Sequence, residues 1–109
     1  MTVKELHQKT SWAFVMQGNV DLPLTGVYSG DLLSYVMGNG LVGQAWITMQ
    51  THQNIIAIAS LKEFACIILI DGGILDEQTL ISAAEHEVNV LSSPLSAFET
   101  IKKLVHLGF

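Results

Sequence analysis

The chain alternates short apolar runs with longer amphipathic stretches, and the order of the two patterns is the first clue to its architecture. Trp12-Ala13-Phe14-Val15-Met16 is apolar throughout and is closed by Gln17-Gly18-Asn19, so it reads as a strand and a turn. A loop holding Asp21 and Pro23 follows, and then Gly26-Val27-Tyr28-Ser29 reads as a second strand. Ala45-Trp46-Ile47-Thr48-Met49 has the β-branched and aromatic content of a third. Cys66 to Ile70 is apolar at every position, as expected of a parallel strand covered on both faces. Asn89-Val90-Leu91 makes a brief last strand.

Helical periodicity fills the intervals. Thr2-Val3-Lys4-Glu5 has the form of a capping box, which turns Val3 and Leu6 inward. Gly30-Asp31 opens a helix carrying Leu32, Leu33, Val36 and Met37, stopped by Gly38-Asn39-Gly40. His52 to Phe64 predicts a helix whose Ile55–Ala59 stretch leaves little polar face; such a helix is covered on several sides or lies in an interface. Asp76 to Glu87 predicts an amphipathic helix with Leu80, Ile81, Ala84 and Val88 on its inner side. Ser93 then caps a final helix with Pro94 in its first turn, burying Leu95, Phe98, Ile101, Leu104 and Val105. From Gly26 onward strands and helices alternate, which is the signature of β-α-β units. The expected fold is α/β: a single domain, residues 1–109, with a mainly parallel sheet and helices packed on it.

Composition narrows the function classes. Half of the residues are hydrophobic and 14% are charged, so some apolar surface is expected to be covered by a second subunit, most simply in a homodimer. The net charge is −5 and all five basic residues are lysines. A nucleic-acid partner requires a basic patch and usually arginine for base readout, and neither is present. Without arginine, any anion has to be held by backbone N–H groups, hydroxyls, His or Lys. Cys66 stands alone in an apolar run and reads as a small core residue rather than a nucleophile. One cysteine excludes an internal disulfide and fits a reducing, cytoplasmic setting. The first residues lack the apolar segment of a signal peptide, no apolar run reaches membrane-spanning length, and no membrane partner is expected.

In open parallel sheets ligands bind outside the carboxyl ends of the strands. That rule selects four strand-to-helix loops, contributing Ser29 and Asp31; Gln50, Thr51, His52 and Asn54; Asp71, Gly72 and Gly73; and Ser92 and Ser93. Rich in hydroxyls, amides and glycine, they suit a polar or anionic small molecule held mostly by backbone at helix N-termini. The same residues also serve as helix caps and turns. His52 is the most informative of them, either ordering its loop or touching a ligand through a ring nitrogen. No histidine pair has metal-site spacing, and no metal or cofactor is expected. The phosphate-binding G-x-x-x-x-G-K-[ST] loop, the G-x-S-x-G elbow and the G-x-G-x-x-G fingerprint are all missing, so no enzyme activity is expected.

Gly26-Val27-Tyr28-Ser29-Gly30-Asp31-Leu32-Leu33-Ser34, Trp46 to Ile55, Ile70-Asp71-Gly72-Gly73 and Val90 to Glu99, in this order and spacing, resemble the DRTGG-domain family over nearly the whole chain. The sequence departs from the motif that names the family: Thr51-His52 or its neighbours stand where an Asp-Arg pair is expected, and Asp71-Gly72-Gly73 replaces Thr-Gly-Gly. The resemblance implies a stand-alone member with an α/β fold like the N-terminal domain of HPr kinase/phosphorylase. Related domains occur alone, beside CBS pairs in inorganic pyrophosphatases, and in phosphate acetyltransferases. It also implies a regulatory, ligand-sensing role, with a nucleotide or other small polar ligand and a homodimeric state. The other reading is a protein-interaction subunit that docks on a larger enzyme or kinase without a small ligand. A small enzyme pairing His52 with Asp71 is the third.

Overall fold

The computed structural model, which describes residues 1–109, gathers all five strands into one sheet. The strands are β1 (Ala13–Met16), β2 (Gly26–Ser29), β3 (Gln44–Thr48), β4 (Cys66–Leu69) and β5 (Val90–Ser92), in the spatial order β1-β5-β4-β3-β2. The four from β2 to β5 are parallel, and β1 runs antiparallel along β5 with an irregularity between Phe14 and Met16. The helices are α1 (Val3–Thr10), α2 (Leu33–Asn39), α3 (Asn54–Leu61), α4 (Glu77–Glu85) and α5 (Ala97–His106).

Side chains of successive strand residues point to opposite faces, and here each face has its own core. Trp46, Ile67, Leu69 and Val90 pack with Val36 of α2, four residues of α3 and Ala83 of α4. Ala45, Ile47, Cys66, Ile68 and Leu91 pack with Val3 and Leu6 of α1 and Leu104 of α5. The result is three layers, with α2, α3 and α4 on one side and α1 and α5 on the other. Every residue of β4 is buried, as its unbroken apolar run predicts. Full burial of each large apolar side chain stabilises the fold by roughly 1.5–3 kcal/mol before entropy is counted.

The predicted α1 capping box is present: Thr2 accepts from the Glu5 N–H and the Glu5 side chain accepts from the Thr2 N–H. Three helices start later than predicted. α2 begins at Leu33 because Asp31 turns its carboxylate to β3, and α3 spans Asn54–Leu61 rather than His52 to Phe64. In α5 the cap is Ser96, whose Oγ accepts from the Glu99 N–H, and not Ser93. Ser93 extends the sheet instead, its N–H donating to the Leu69 carbonyl, and its buried hydroxyl lies 2.8 Å from that of Thr100.

That shift rotates the helix. Thr100 and Leu104 face the core, whereas Phe98 and Val105, expected inside, are 70% and 56% exposed, and Leu95 is also largely open. Ile101 is half-buried. In α4 the inner residues are Thr79 and Ala83, with Leu80 half-buried, while Ile81 and Ala84 face outward. His7 on α1 is half-buried, with its Nδ1 2.6 Å from the Trp12 carbonyl and its ring against Phe14.

One buried polar residue closes the amino ends of the strands. Asn89 donates to the carbonyls of Asn19 (2.7 Å) and Ala65 (3.1 Å) and accepts from the Gly18 N–H (2.7 Å). A side chain at Gly18 would run into the backbone carbonyl of Glu87, so this approach requires glycine. Asn89→Ala takes its side-chain bonds from one buried and two partly buried backbone groups, and a loss of roughly 1–3 kcal/mol is expected in urea unfolding.

Candidate functional site

Because β2, β3, β4 and β5 are parallel neighbours, their four carboxyl ends fall along one edge of the sheet. The loops singled out from the sequence all leave this edge, which makes a continuous rim.

At the β2–β3 end the polar groups are largely committed to one another. Asp31 Oδ1 accepts from the Thr48 hydroxyl at 2.7 Å and from the Met49 N–H at 2.8 Å. The Thr48 hydroxyl accepts from the Gln50 N–H, and the Gln50 side-chain amide donates to the Asp31 carbonyl at 3.3 Å. Trp46 Nε1–H donates to the Gly30 carbonyl at 2.9 Å. These bonds fasten the Ser29–Asp31 loop to β3. Asp31 and Gln50 are structural members of the rim, and the buried Thr48 hydroxyl that holds them is a residue the sequence reading assigned only to a strand.

The β4–β5 end is clasped in a similar way. Asp71 and Gly72 both have positive φ (55° and 69°), and the Gly73 N–H donates to the Ile70 carbonyl, giving a tight turn of the kind Asp-Gly favours. The N–H groups of Asp71 and Gly72 donate to the carbonyls of Leu95 and Ser93, both at 2.8 Å, and the Ser92 hydroxyl donates to the Gly73 carbonyl at 2.7 Å. Most backbone donors expected to receive an anion at this end are therefore occupied.

The centre of the rim differs. His52 Nδ1 accepts from the Asn54 N–H at 3.2 Å, so the histidine orders the start of α3. The N–H groups of Thr51, His52 and Gln53 bond to no other protein atom, and Thr51, His52 and Asn54 are exposed. Asp76, whose carboxylate caps α4 by accepting from the Thr79 N–H, has its pKa lowered chiefly by that bond and to a smaller extent by the nearby His52. No group of three or more His, Cys, Asp or Glu side chains is placed to share a metal ion. Cys66 lies away from the rim beneath both helical layers, and burial pushes its thiol up to about 12.

No family model matches the sequence, and no curated protein matches it. Among solved structures it is similar to the CBS and DRTGG domains of the regulatory region of a Clostridium perfringens pyrophosphatase, crystallised with the activator diadenosine tetraphosphate. The superposition gives a TM-score of 0.71 at 11% identity over 95% of this chain. The chain has a DRTGG-like fold. It spans 46% of the pyrophosphatase region, and at this identity the likeness establishes the architecture of the DRTGG-like domain alone.

The Asp31 network makes a direct prediction. Asp31→Ala removes two charge-assisted bonds from an exposed acceptor and should cost about 1–3 kcal/mol in chemical denaturation. Amide exchange should rise at Met49 and Gln50 in the same variant, while the β4–β5 clasp is unaffected.

Proposed function

We propose that this DRTGG-like domain is a non-catalytic regulatory module that binds a small polar or anionic metabolite, or a nucleotide, at the strand-end rim and works as a homodimer. The observation that carries the proposal is the contrast within the rim. Both ends are locked by internal hydrogen bonds, while Thr51, His52 and Gln53 between them present uncommitted backbone donors at the start of α3. Fixed donors on a rigid platform at a helix N-terminus suit an anionic or hydrogen-bonding ligand at little ordering cost. The Thr51 hydroxyl, the Asn54 amide and the free Nε2 of His52 add side-chain contacts. The shared fold with a pyrophosphatase regulatory region that was crystallised with a dinucleotide activator supports the same class of ligand.

The non-catalytic assignment rests on how the reactive groups are used. The Asp31 carboxylate is taken up by Thr48 and Met49, and Cys66 is sealed as a neutral thiol. No helix is long and apolar enough to cross a membrane. A cytoplasmic setting is our assignment, consistent with the free thiol.

A second reading has its own observation. Phe98 and Val105 lie exposed on one side of α5, seven residues and therefore two turns apart. Such a stripe is a surface for a second copy or for a partner enzyme or kinase.

Thermal unfolding against nucleotides, adenylated dinucleotides, acetyl phosphate and simple anions tests the rim. A ligand at about a hundred times its dissociation constant stabilises the native state by about 2.7 kcal/mol, a shift of several degrees for a domain of this size. The expected result is a shift that His52→Ala removes without unfolding the protein; absence of any shift would turn the choice to the interaction subunit. Light scattering at micromolar concentration should give a dimer, and a monomer would count against that part of the proposal. Phe98→Glu should dissociate the dimer if the α5 stripe is its interface and leave it intact if not.

A further inference from the structure

A recess of about 610 Å³ opens at the β4–β5 end of the rim, where Gly72 and Ser92 meet the end of α1, the start of β1 and α5. Its volume lies in the range of small-molecule sites. Trp12, Ala13 and Leu95 give it apolar walls, and Lys103, half-buried on α5, is the one charged residue lining it. In a chain with twice as many acidic as basic residues, a recess lined by a cation and no carboxylate reverses the overall sign.

The remaining donors can be counted. The Ser92 hydroxyl proton is committed to the Gly73 carbonyl and that of Thr10 to the Leu6 carbonyl. The Ser11 hydroxyl and the Trp12 indole N–H have no protein partner, so they and the Lys103 ammonium are the uncommitted side-chain donors of the lining residues. One positive charge and one hydroxyl neutralise and orient a monoanion. A monoanion matches the single ammonium charge one for one. The carbon-rich walls in turn require an apolar body on that anion.

We propose that this recess is a second binding site, separate from the centre of the rim, for a small monocarboxylate with an aromatic or branched aliphatic body. Lys103 pairs with the carboxylate, Ser11 donates to its second oxygen, and the apolar walls take the body.

The test is an amide-resolved titration of the full chain with sodium benzoate, with acetate and benzyl alcohol as partners lacking the body or the charge. Benzoate should move the amides of Ser11, Gly72 and Leu95, and acetate and benzyl alcohol should each bind about tenfold more weakly. Lys103→Gln should weaken benzoate about tenfold, Lys103→Arg should retain it, and His52→Ala should have no effect. The melting temperature of each variant checks that the fold is intact. Equal benzoate affinity in Lys103→Gln, equal binding of acetate, or loss on His52→Ala alone would each overturn the proposal. Failure here leaves the rim proposal standing, because that one depends on His52 and not on Lys103.

Discussion

Strands β3, β4 and β5 carry apolar side chains on both faces, and a sheet of that kind has to be covered from both sides. The requirement organises the whole domain. Trp46, Ile67, Leu69 and Val90 point to one helical layer, and Ala45, Ile47, Cys66, Ile68 and Leu91 point to the other. Three strand-to-strand connections supply α2, α3 and α4 to the first layer, and the chain's two ends supply α1 and α5 to the second. Parallel pairing then sends every strand-to-helix loop to the same edge. The rim is thus a by-product of core packing, and its chemistry differs from loop to loop.

The variation is visible in how the loops are held. Asp31 spends its carboxylate on Thr48 and Met49, and the Asp71-Gly72 turn spends its N–H groups on the segment after β5. Between these fixed points the Thr51–Gln53 stretch keeps its backbone donors open. Under the proposed function, a frame around a few uncommitted donors would bind by preorganisation rather than by closure of a lid.

Much of this was legible in the sequence. The all-apolar Cys66–Ile70 run and the alternation from Gly26 onward identified a doubly covered parallel sheet, and the rule about strand ends picked out loops that the fold brings to one edge. The errors came where two local signals competed. Ser93-Pro94 and Ser96 both make acceptable caps, and the choice fell to Ser96 because the Ser93 backbone is drawn into the sheet by Leu69 and Gly72. The change of phase exposed Phe98 and Val105 and buried Thr100, whose hydroxyl is satisfied by Ser93, a partnership no periodicity could reveal. The role of Thr48 was equally hidden, since it depends on a bond to Asp31 from a loop distant in sequence.

The central claim, that the middle of the rim is a ligand site, is tested most directly by a ¹H–¹⁵N titration with diadenosine tetraphosphate or whichever compound raises the melting temperature most. Saturable movement of the Thr51, His52 and Gln53 amides, with the two clasped ends of the rim little changed, is the predicted result. Binding that leaves those three amides still and moves the outer face of α5 or of α2–α4 would contradict it.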